Sequence, residues 1–179
     1  MQEVLIKMAE VSGAEELIYT MKKISLDLTA QLELNLKTED ISGVQVYFMV
    51  YILRHHRNGS YLTDMCHEIG VSKSTLSALI KKLREKGYLY FQEDPDDIRK
   101  KKVLLTEKLF SEGGLFLQKA EQMEAEICSV LDPQEIRLLC SLERKLLSQF
   151  TKMELEHNEV KNDRRLYYRE KSFTTTQTV

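Results

Sequence analysis

The amino-acid sequence contains few of the residues that form turns, cross-links or membrane spans. Only 7 glycines and 2 prolines occur in 179 residues, too few for an all-β protein, which needs many tight turns. No apolar run approaches the ~20 residues of a membrane-spanning helix. We therefore expect a mainly α protein with long helices.

The sequence also lacks the signals of secretion and of catalysis. The three cysteines, Cys66, Cys128 and Cys140, have no metal-type spacing, and such sparse cysteines are typical of a reduced, cytoplasmic setting. The beginning, MQEVLIKMAE, does not have the pattern of a signal peptide. We find no glycine-rich phosphate loop, no nucleophile motif and no paired carboxylates in an apolar setting, so we expect neither an enzyme nor a cofactor.

Charge is distributed unevenly along the chain. The net charge is -2, but residues 72–102 carry a net charge of +4, which leaves -6 for the rest. A basic module on an acidic body is typical of a DNA-binding protein whose remaining surface has other tasks.

Apolar spacing predicts helices on both sides of this basic segment. Apolar residues recur every three or four positions over residues 14–35, 107–130 and 133–155, which indicates amphipathic helices. The more uniformly apolar segment 41–55 predicts a buried helix. Residues 2–12 form a short helix or a loose arm in this interpretation, with Gly13 as a break. Gly113-Gly114 indicates a kink or a late helix start.

The segment Ser60–Thr106 is the most informative part of the sequence. It reads as a short helix at 62–69, a turn at Gly70, a helix at 73–86 capped by Ser72, and a hairpin. The hairpin strands are predicted at 88–92 and 101–105, joined by a turn-rich link. This order is that of a winged helix-turn-helix, in which the hairpin is the wing.

At these residues the sequence resembles the MarR family of bacterial transcriptional regulators. The resemblance rests on GVSKSTLSALIKKLREKGYL at 70–89, on DPDDIRKKKVLLT at 94–106, and on the order of helices around the module, and it covers about residues 14–150. In the wing, the residues that match the family pattern are Asp97, Arg99, Val103, Leu105 and Thr106. The resemblance implies a winged helix-turn-helix module plus a helical dimerisation region.

Four segments follow from this interpretation. Residues 1–40 hold the N-terminal helices of the dimerisation region, and 41–106 form the DNA-binding module. Residues 107–156 contribute the C-terminal helices of the dimerisation region, and 157–179 form a partly disordered tail.

The candidate DNA contacts lie on the second helix of the motif and on the wing. A helix fits the major groove, small hydroxyl side chains let its N-terminus approach the bases, and lysines add attraction to phosphates. Arg99 can enter a narrow minor groove, and the resemblance implies that Asp97 orients it. The predicted DNA contacts are Ser72, Lys73, Ser74, Thr75, Ser77, Lys81, Lys82, Asp97, Arg99, Lys100 and Lys101.

Simpler explanations exist for the same residues. The lysines can be an ordinary solvated helix face, Ser72 and Thr75 can serve only as a helix cap, and Arg99 can pair with a neighbouring aspartate.

The sequence further predicts a homodimer that binds a palindrome-like DNA site. A single module reads too few base pairs for useful specificity, and the apolar helix stripes suit pairing between subunits, although they can also cover the module of their own chain. The resemblance implies a pocket for a small aromatic effector that weakens DNA binding. The candidate pocket residues are Tyr47, Phe48, Tyr51, His55 and Phe116, which can equally be core aromatics.

Two other modes of regulation are weaker hypotheses. A redox sensor would need a reactive cysteine, but Cys66 lies on the apolar-to-polar edge of the short helix and Cys128 and Cys140 fall near apolar stripes, so buried and inert thiols are expected. A zinc sensor could use His55, His56, Cys66 and His67, which are suitable ligand types without a recognisable spacing.

The sequence therefore predicts a DNA-binding transcriptional regulator, most often a repressor in this family. Two alternatives remain: a metal- or redox-responsive regulator of the same fold, and a winged-helix module that binds protein and has no role with DNA.

Overall fold

The structure, a computed structural model, describes the backbone of residues 2–93 and 100–174 and the side chains of residues 13–93 and 100–156. Its residues fall into two compact units, Met1–Ile127 and Cys128–Val179. The elements of the first unit are α1 (Gln2–Leu36), α2 (Gly43–His55), β1 (Ser60–Tyr61), α3 (Leu62–Ile69), α4 (Lys73–Glu85), β2 (Leu89–Glu93), β3 (Lys101–Leu105) and α5 (Glu107–Cys128, whose last residue opens the second unit). The second unit consists mainly of α6 (Pro133–Thr174).

Helix α1 is continuous through Gly13, so the predicted break at this glycine was wrong. A helix tolerates a single glycine at a cost of about 1 kcal/mol, which the many good helix formers around it can offset. Near its C-terminal end α1 buries Leu32 and Leu36 in the core.

Helix α2 begins with a reciprocal cap that the sequence analysis did not identify. The Ser42 hydroxyl accepts from the backbone N–H of Gln45, and the Gln45 side chain accepts from the backbone N–H of Ser42. This capping box satisfies two N–H groups that the helix itself leaves free. Gly43 comes next and lies against the backbone of α1, where a Cβ atom would meet the carbonyl oxygen of Leu32. Seven of the thirteen α2 residues are buried, which confirms the prediction of a buried helix.

Helices α3 and α4 form the predicted helix-turn-helix. Gly70 ends α3 with φ of 72°, a left-handed conformation that glycine adopts without strain. Ser72 caps α4, which buries Leu76, Ile80 and Leu83 along one face.

The wing is part of a three-stranded antiparallel sheet with the order β1-β3-β2. The hairpin strands pair from Leu89 opposite Leu105 to Glu93 opposite Lys101, as predicted. Strand β1 was not predicted, since two residues have no detectable periodicity. It pairs with β3 through Ser60 opposite Val103.

Helix α5 begins at Glu107, so the late start predicted at Gly113-Gly114 was wrong. The Thr106 hydroxyl accepts from the backbone N–H of Leu109 and lies within donating distance of the backbone carbonyls of Gly87 and Tyr88, in the link between α4 and β2. Gly113 is buried, and a Cβ atom there would lie 2.8 Å from Leu53 Cδ1.

In the second unit, Asp132 starts α6 as predicted. Its carboxylate accepts from the backbone N–H groups of Gln134 and Glu135, and the Glu135 carboxylate accepts from the backbone N–H of Asp132. The helix continues to Thr174, so most of the tail expected to be partly disordered is helical, and 175–179 lie outside the described residues. Cys128 is exposed, which contradicts its expected burial, whereas Cys140 is half-buried.

Within the ranges that the structure describes, no helix is both long and apolar enough to cross a membrane. The apolar core belongs to the first unit and joins residues of α1 to α5 with the sheet.

Candidate nucleic-acid interface

Helix α4 separates its apolar and polar residues onto two faces. The buried face holds Leu76, Ile80 and Leu83. The outer residues that were predicted to contact DNA are Lys73, Ser74, Thr75, Lys81 and Lys82, which are exposed, and Ser77, which is half-buried. The helix therefore presents positive charge and small hydroxyl groups to solvent along its length. Recognition helices that bind in the major groove of DNA have such a face.

The Ser72 side chain has a structural task at the start of α4. Its Oγ accepts from the backbone N–H of Thr75 at 3.1 Å and lies 2.8 Å from Ser74 Oγ and 2.7 Å from Thr75 Oγ1. Three hydroxyl groups thus form one exposed cluster over the first turn. Capping is therefore at least part of the function of Ser72, as the simpler explanation held.

The wing is described only in part. Lys100 and Lys101 are exposed at the start of β3, and Lys101 lies opposite Glu93 in the register. Asp97 and Arg99, the remaining predicted wing contacts, lie outside the described residues.

A cleft of about 400 Å³ lies between α4 and the sheet. Its lining residues are Tyr61, Leu62, Thr63, Lys73, Ser77, Lys81, Arg84, Phe91, Lys100 and Lys101. Five of these ten side chains are cationic, and none is a carboxylate. The cleft thus joins predicted contacts from the helix and from the wing in one positively charged surface.

Arg84 is a cleft residue that the sequence analysis missed. Its guanidinium carbon lies 4.4 Å from the centroid of the Phe91 ring, a cation–π contact between α4 and β2. The sequence did contain a signal, since Lys73, Ser77, Lys81 and Arg84 are spaced by four, four and three positions and so share one stripe of the helix.

The candidate pocket aromatics divide between the core and a polar network. Phe48 and Phe116 are buried core residues. The Tyr47 hydroxyl donates to the Glu124 carboxylate at 2.9 Å, and Arg54 donates to the same carboxylate at 2.7 and 3.0 Å. The Arg54 hydrogen bond is the main reason that the pKa of the Glu124 carboxyl lies below its ordinary value. This carboxylate fastens α2 to α5.

Tyr51 and His55 lie near a second carboxylate, that of Glu68 on α3. The Tyr51 hydroxyl donates to Glu68 at 2.6 Å, His56 Nε2 lies 2.8 Å from the same oxygen, and the exposed His55 ring lies 5.0 Å from the Tyr51 ring. Burial, followed by the hydrogen bond to Glu68, raises the pKa of Tyr51 to about 12. The Tyr51 hydrogen bond also lowers the pKa of the Glu68 carboxyl.

The zinc hypothesis gains no support from the geometry. In the described part of the chain, no group of three or more His, Cys, Asp and Glu side chains is arranged to hold a metal ion. Instead, the His56 ring is engaged with Tyr51 and Glu68.

A short helix, a turn, an exposed polar helix and an antiparallel wing together define a winged helix-turn-helix protein. The model of the MarR family matches residues 39–100, which confirms the resemblance over this segment. Members of the family are transcription regulators and not enzymes. No curated protein matches the chain by sequence.

Solved structures with the same fold include proteins bound to DNA. A Staphylococcus aureus MepR–DNA complex has 24% identity and a TM-score of 0.65, covering 73% of this chain and 96% of its own. A MarR-family protein of Listeria monocytogenes, complexed with a 26mer DNA, has 18% identity and a TM-score of 0.65, covering 74% and 87%. Bordetella bronchiseptica BpsR, whose DNA binding is regulated by 6-hydroxynicotinic acid, has 19% identity and a TM-score of 0.60, covering 73% and 98%. The chain thus has the fold of MarR-family DNA-binding transcriptional regulators.

Proposed function

We propose that the protein is a homodimeric, sequence-specific transcriptional regulator that acts as a repressor in the cytoplasm. The observation that carries the proposal is the outer face of α4, where lysines and hydroxyl groups are exposed opposite a buried apolar face. Ser74, Thr75 and Ser77 lie near the N-terminal end, where a recognition helix approaches base edges, and Lys73, Lys81 and Lys82 bind phosphates.

The wing completes the proposed contact with DNA. Arg99, oriented by Asp97, enters the minor groove next to the site that α4 reads, and Lys100 and Lys101 bind the backbone beside it. The exposure of both lysines supports this assignment.

Dimerisation in this proposal uses the helices outside the winged module, in segments 1–40 and 107–156. Within α1, apolar side chains such as Leu17, Ile18 and Ile24 are exposed. Within α6, Leu139, Phe150 and other apolar side chains are exposed as well. Apolar surface of this extent along a helix is typical of a face that a partner covers.

A small aromatic effector is a further part of the proposal, supported by the regulation of BpsR by 6-hydroxynicotinic acid. The half-buried Tyr47 and Tyr51 and the exposed His55 on α2 are the candidate contacts. Phe48 and Phe116 are buried in the core, so we assign them a structural role beside the candidate contacts. An effector acts only if it prefers the state that does not bind DNA.

The test is fluorescence anisotropy with duplexes tiled across the promoter beside the protein's own gene, at two salt concentrations. We expect tight binding to one palindrome-like tile, a steep loss of affinity with salt, and weaker binding for Lys81→Ala and Arg99→Ala. Lys23→Ala, an exposed lysine on α1, is the matched control.

Each alternative function predicts another outcome of the same assay. Weak binding to every tile, unchanged by the α4 and wing substitutions, would contradict the proposal and favour a module that binds protein. Affinity that changes with Zn²⁺ or peroxide would identify the metal- or redox-responsive regulator.

A further inference from the structure

The cleft between α4 and the sheet has a composition suited to a phosphate group. Cations come from two elements: Lys73, Lys81 and Arg84 lie along α4, and Lys100 and Lys101 lie at the start of β3. Among the residues that the structure describes, no carboxylate lines the cleft. The nearby carboxylate of Glu85 lies 3.9 Å from Lys81 at an exposed position, where an ion pair is weak, so the lining itself favours an anion.

Arg84 is the best-placed of these cations. Within the part of the chain that the structure describes, it has no ion pair with a carboxylate, and its guanidinium lies over the Phe91 ring. This contact with the half-buried Phe91 restricts the side chain before any ligand arrives, which reduces the entropy lost on binding. A guanidinium also offers several N–H donors in a planar fork that matches two phosphate oxygens.

The volume and the apolar lining indicate more than a single ion. A cleft of about 400 Å³ is far larger than the ≈30 Å³ of a water molecule. Tyr61, Leu62 and Phe91 add apolar surface beside the cations, and such surface suits the carbon atoms of a sugar.

We propose that this cleft binds one sugar-phosphate unit of the DNA backbone, with Arg84, held by Phe91, as the residue that anchors the phosphate. The inference rests on the proposed function and adds a contact at the junction of recognition helix and wing. Because the phosphate is held from both elements, the contact fixes the orientation of the module on the duplex without reading sequence.

The first test measures the salt dependence of binding on the tightest tile and on an unrelated duplex. We expect Arg84→Ala to weaken binding about ten-fold on both, since it removes a hydrogen bond to a charged group. The slope of log K against log salt should become shallower by about one unit per subunit. Phe91→Leu keeps the charge, so it should lose affinity with little change of slope. Arg57→Ala, an exposed arginine between α2 and β1 that is outside the proposed contacts and the dimerisation helices, is the control.

The second test replaces single DNA phosphates with neutral methylphosphonates. Wild-type protein should lose about ten-fold in affinity at one phosphate of each half-site, and Arg84→Ala should lose nothing more at that phosphate. Full additivity at every phosphate, or an Arg84→Ala variant that binds like wild type, would overturn the cleft assignment. Absence of DNA binding by wild type and control alike would instead overturn the proposed function. Circular dichroism of each variant confirms that it is folded.

Discussion

Single glycines decide how closely helices can approach in this protein. At Gly43 a Cβ atom would overlap the backbone of α1, whereas at Gly114, exposed on α5, it would meet nothing within 4 Å. Backbone cannot move aside as a flexible side chain can. We expect Gly43→Ala to lower the free energy of unfolding by about 3 kcal/mol. Gly114→Ala should raise it by about 1 kcal/mol through helix propensity.

Urea unfolding of both variants checks these values. Equal effects of the two substitutions would mean that the approach of α1 to α2 is looser than the structure describes.

The Glu124 carboxylate predicts a dependence of stability on pH. Its pKa in the folded protein is lowered below the ordinary 4.5, mainly by the hydrogen bond from Arg54. The pair therefore contributes stability above that pH, and the contribution is lost as the pH falls through the folded pKa. At about pH 7 we expect Glu124→Gln to be less stable than wild type by about 1 kcal/mol, an upper value for an accessible pair.

Urea unfolding of wild type and Glu124→Gln at a series of pH values measures this difference. The difference in the free energy of unfolding should shrink as the pH falls through the pKa of Glu124 in the folded protein. A constant difference down to the acid limit would show that packing, and not charge, accounts for the effect.

At the scale of elements, substitutions at the N-cap of α4 can test helix stability and DNA binding separately. Aspartate caps a helix about as well as serine, but it places a negative charge where phosphates approach. We expect Ser72→Asp to keep the stability of wild type and to weaken DNA binding at least ten-fold. Ser72→Ala should lose about 1 kcal/mol of stability. Thermal unfolding and anisotropy on the same samples test the pair, and unchanged DNA affinity of Ser72→Asp would place α4 away from the duplex.

Most elements were predictable because their signals are local. Asp132 and Ser72 indicated the starts of helices, and Gly70 indicated the end of one. The spacing of apolar residues predicted which helix faces are buried. The errors arose where local signals are weak or are overridden. Strand β1 is too short to show a period, and the helix formers around Gly13 outweigh its low propensity.

The candidate site was predictable only along its own helix. The outer face of α4 follows from a period of 3.6 residues. By contrast, the contact of Arg84 with Phe91 and the hydrogen bond from Tyr47 to Glu124 join different elements. Tyr47 and Glu124 are 77 positions apart in the sequence, and no local sequence pattern predicts a contact between residues so far apart.

At the scale of the whole molecule, the proposed dimer depends on exposed apolar residues of the helices. Leu139 on α6 is 45% exposed, and a charged group there would be buried without a partner in a dimer. We expect Leu139→Asp to shift the protein to monomers and to weaken operator binding at least ten-fold. Ser141→Asp, an exposed polar position of the same helix, is the control. Sedimentation velocity measures the mass, and a dimeric Leu139→Asp variant would exclude this part of α6 from the interface.

The central position of β3 in the sheet has a consequence for the order in which the chain folds. Strands β2 and β3 are close in sequence and can pair as a hairpin. By contrast, Ser60 of β1 pairs with Val103, which lies much further along the chain. Contacts between distant residues form more slowly because a long loop must close first. During synthesis on the ribosome, β1, α3 and α4 emerge before their partner strand exists. The sheet against which α4 packs is therefore complete only after the wing has been made.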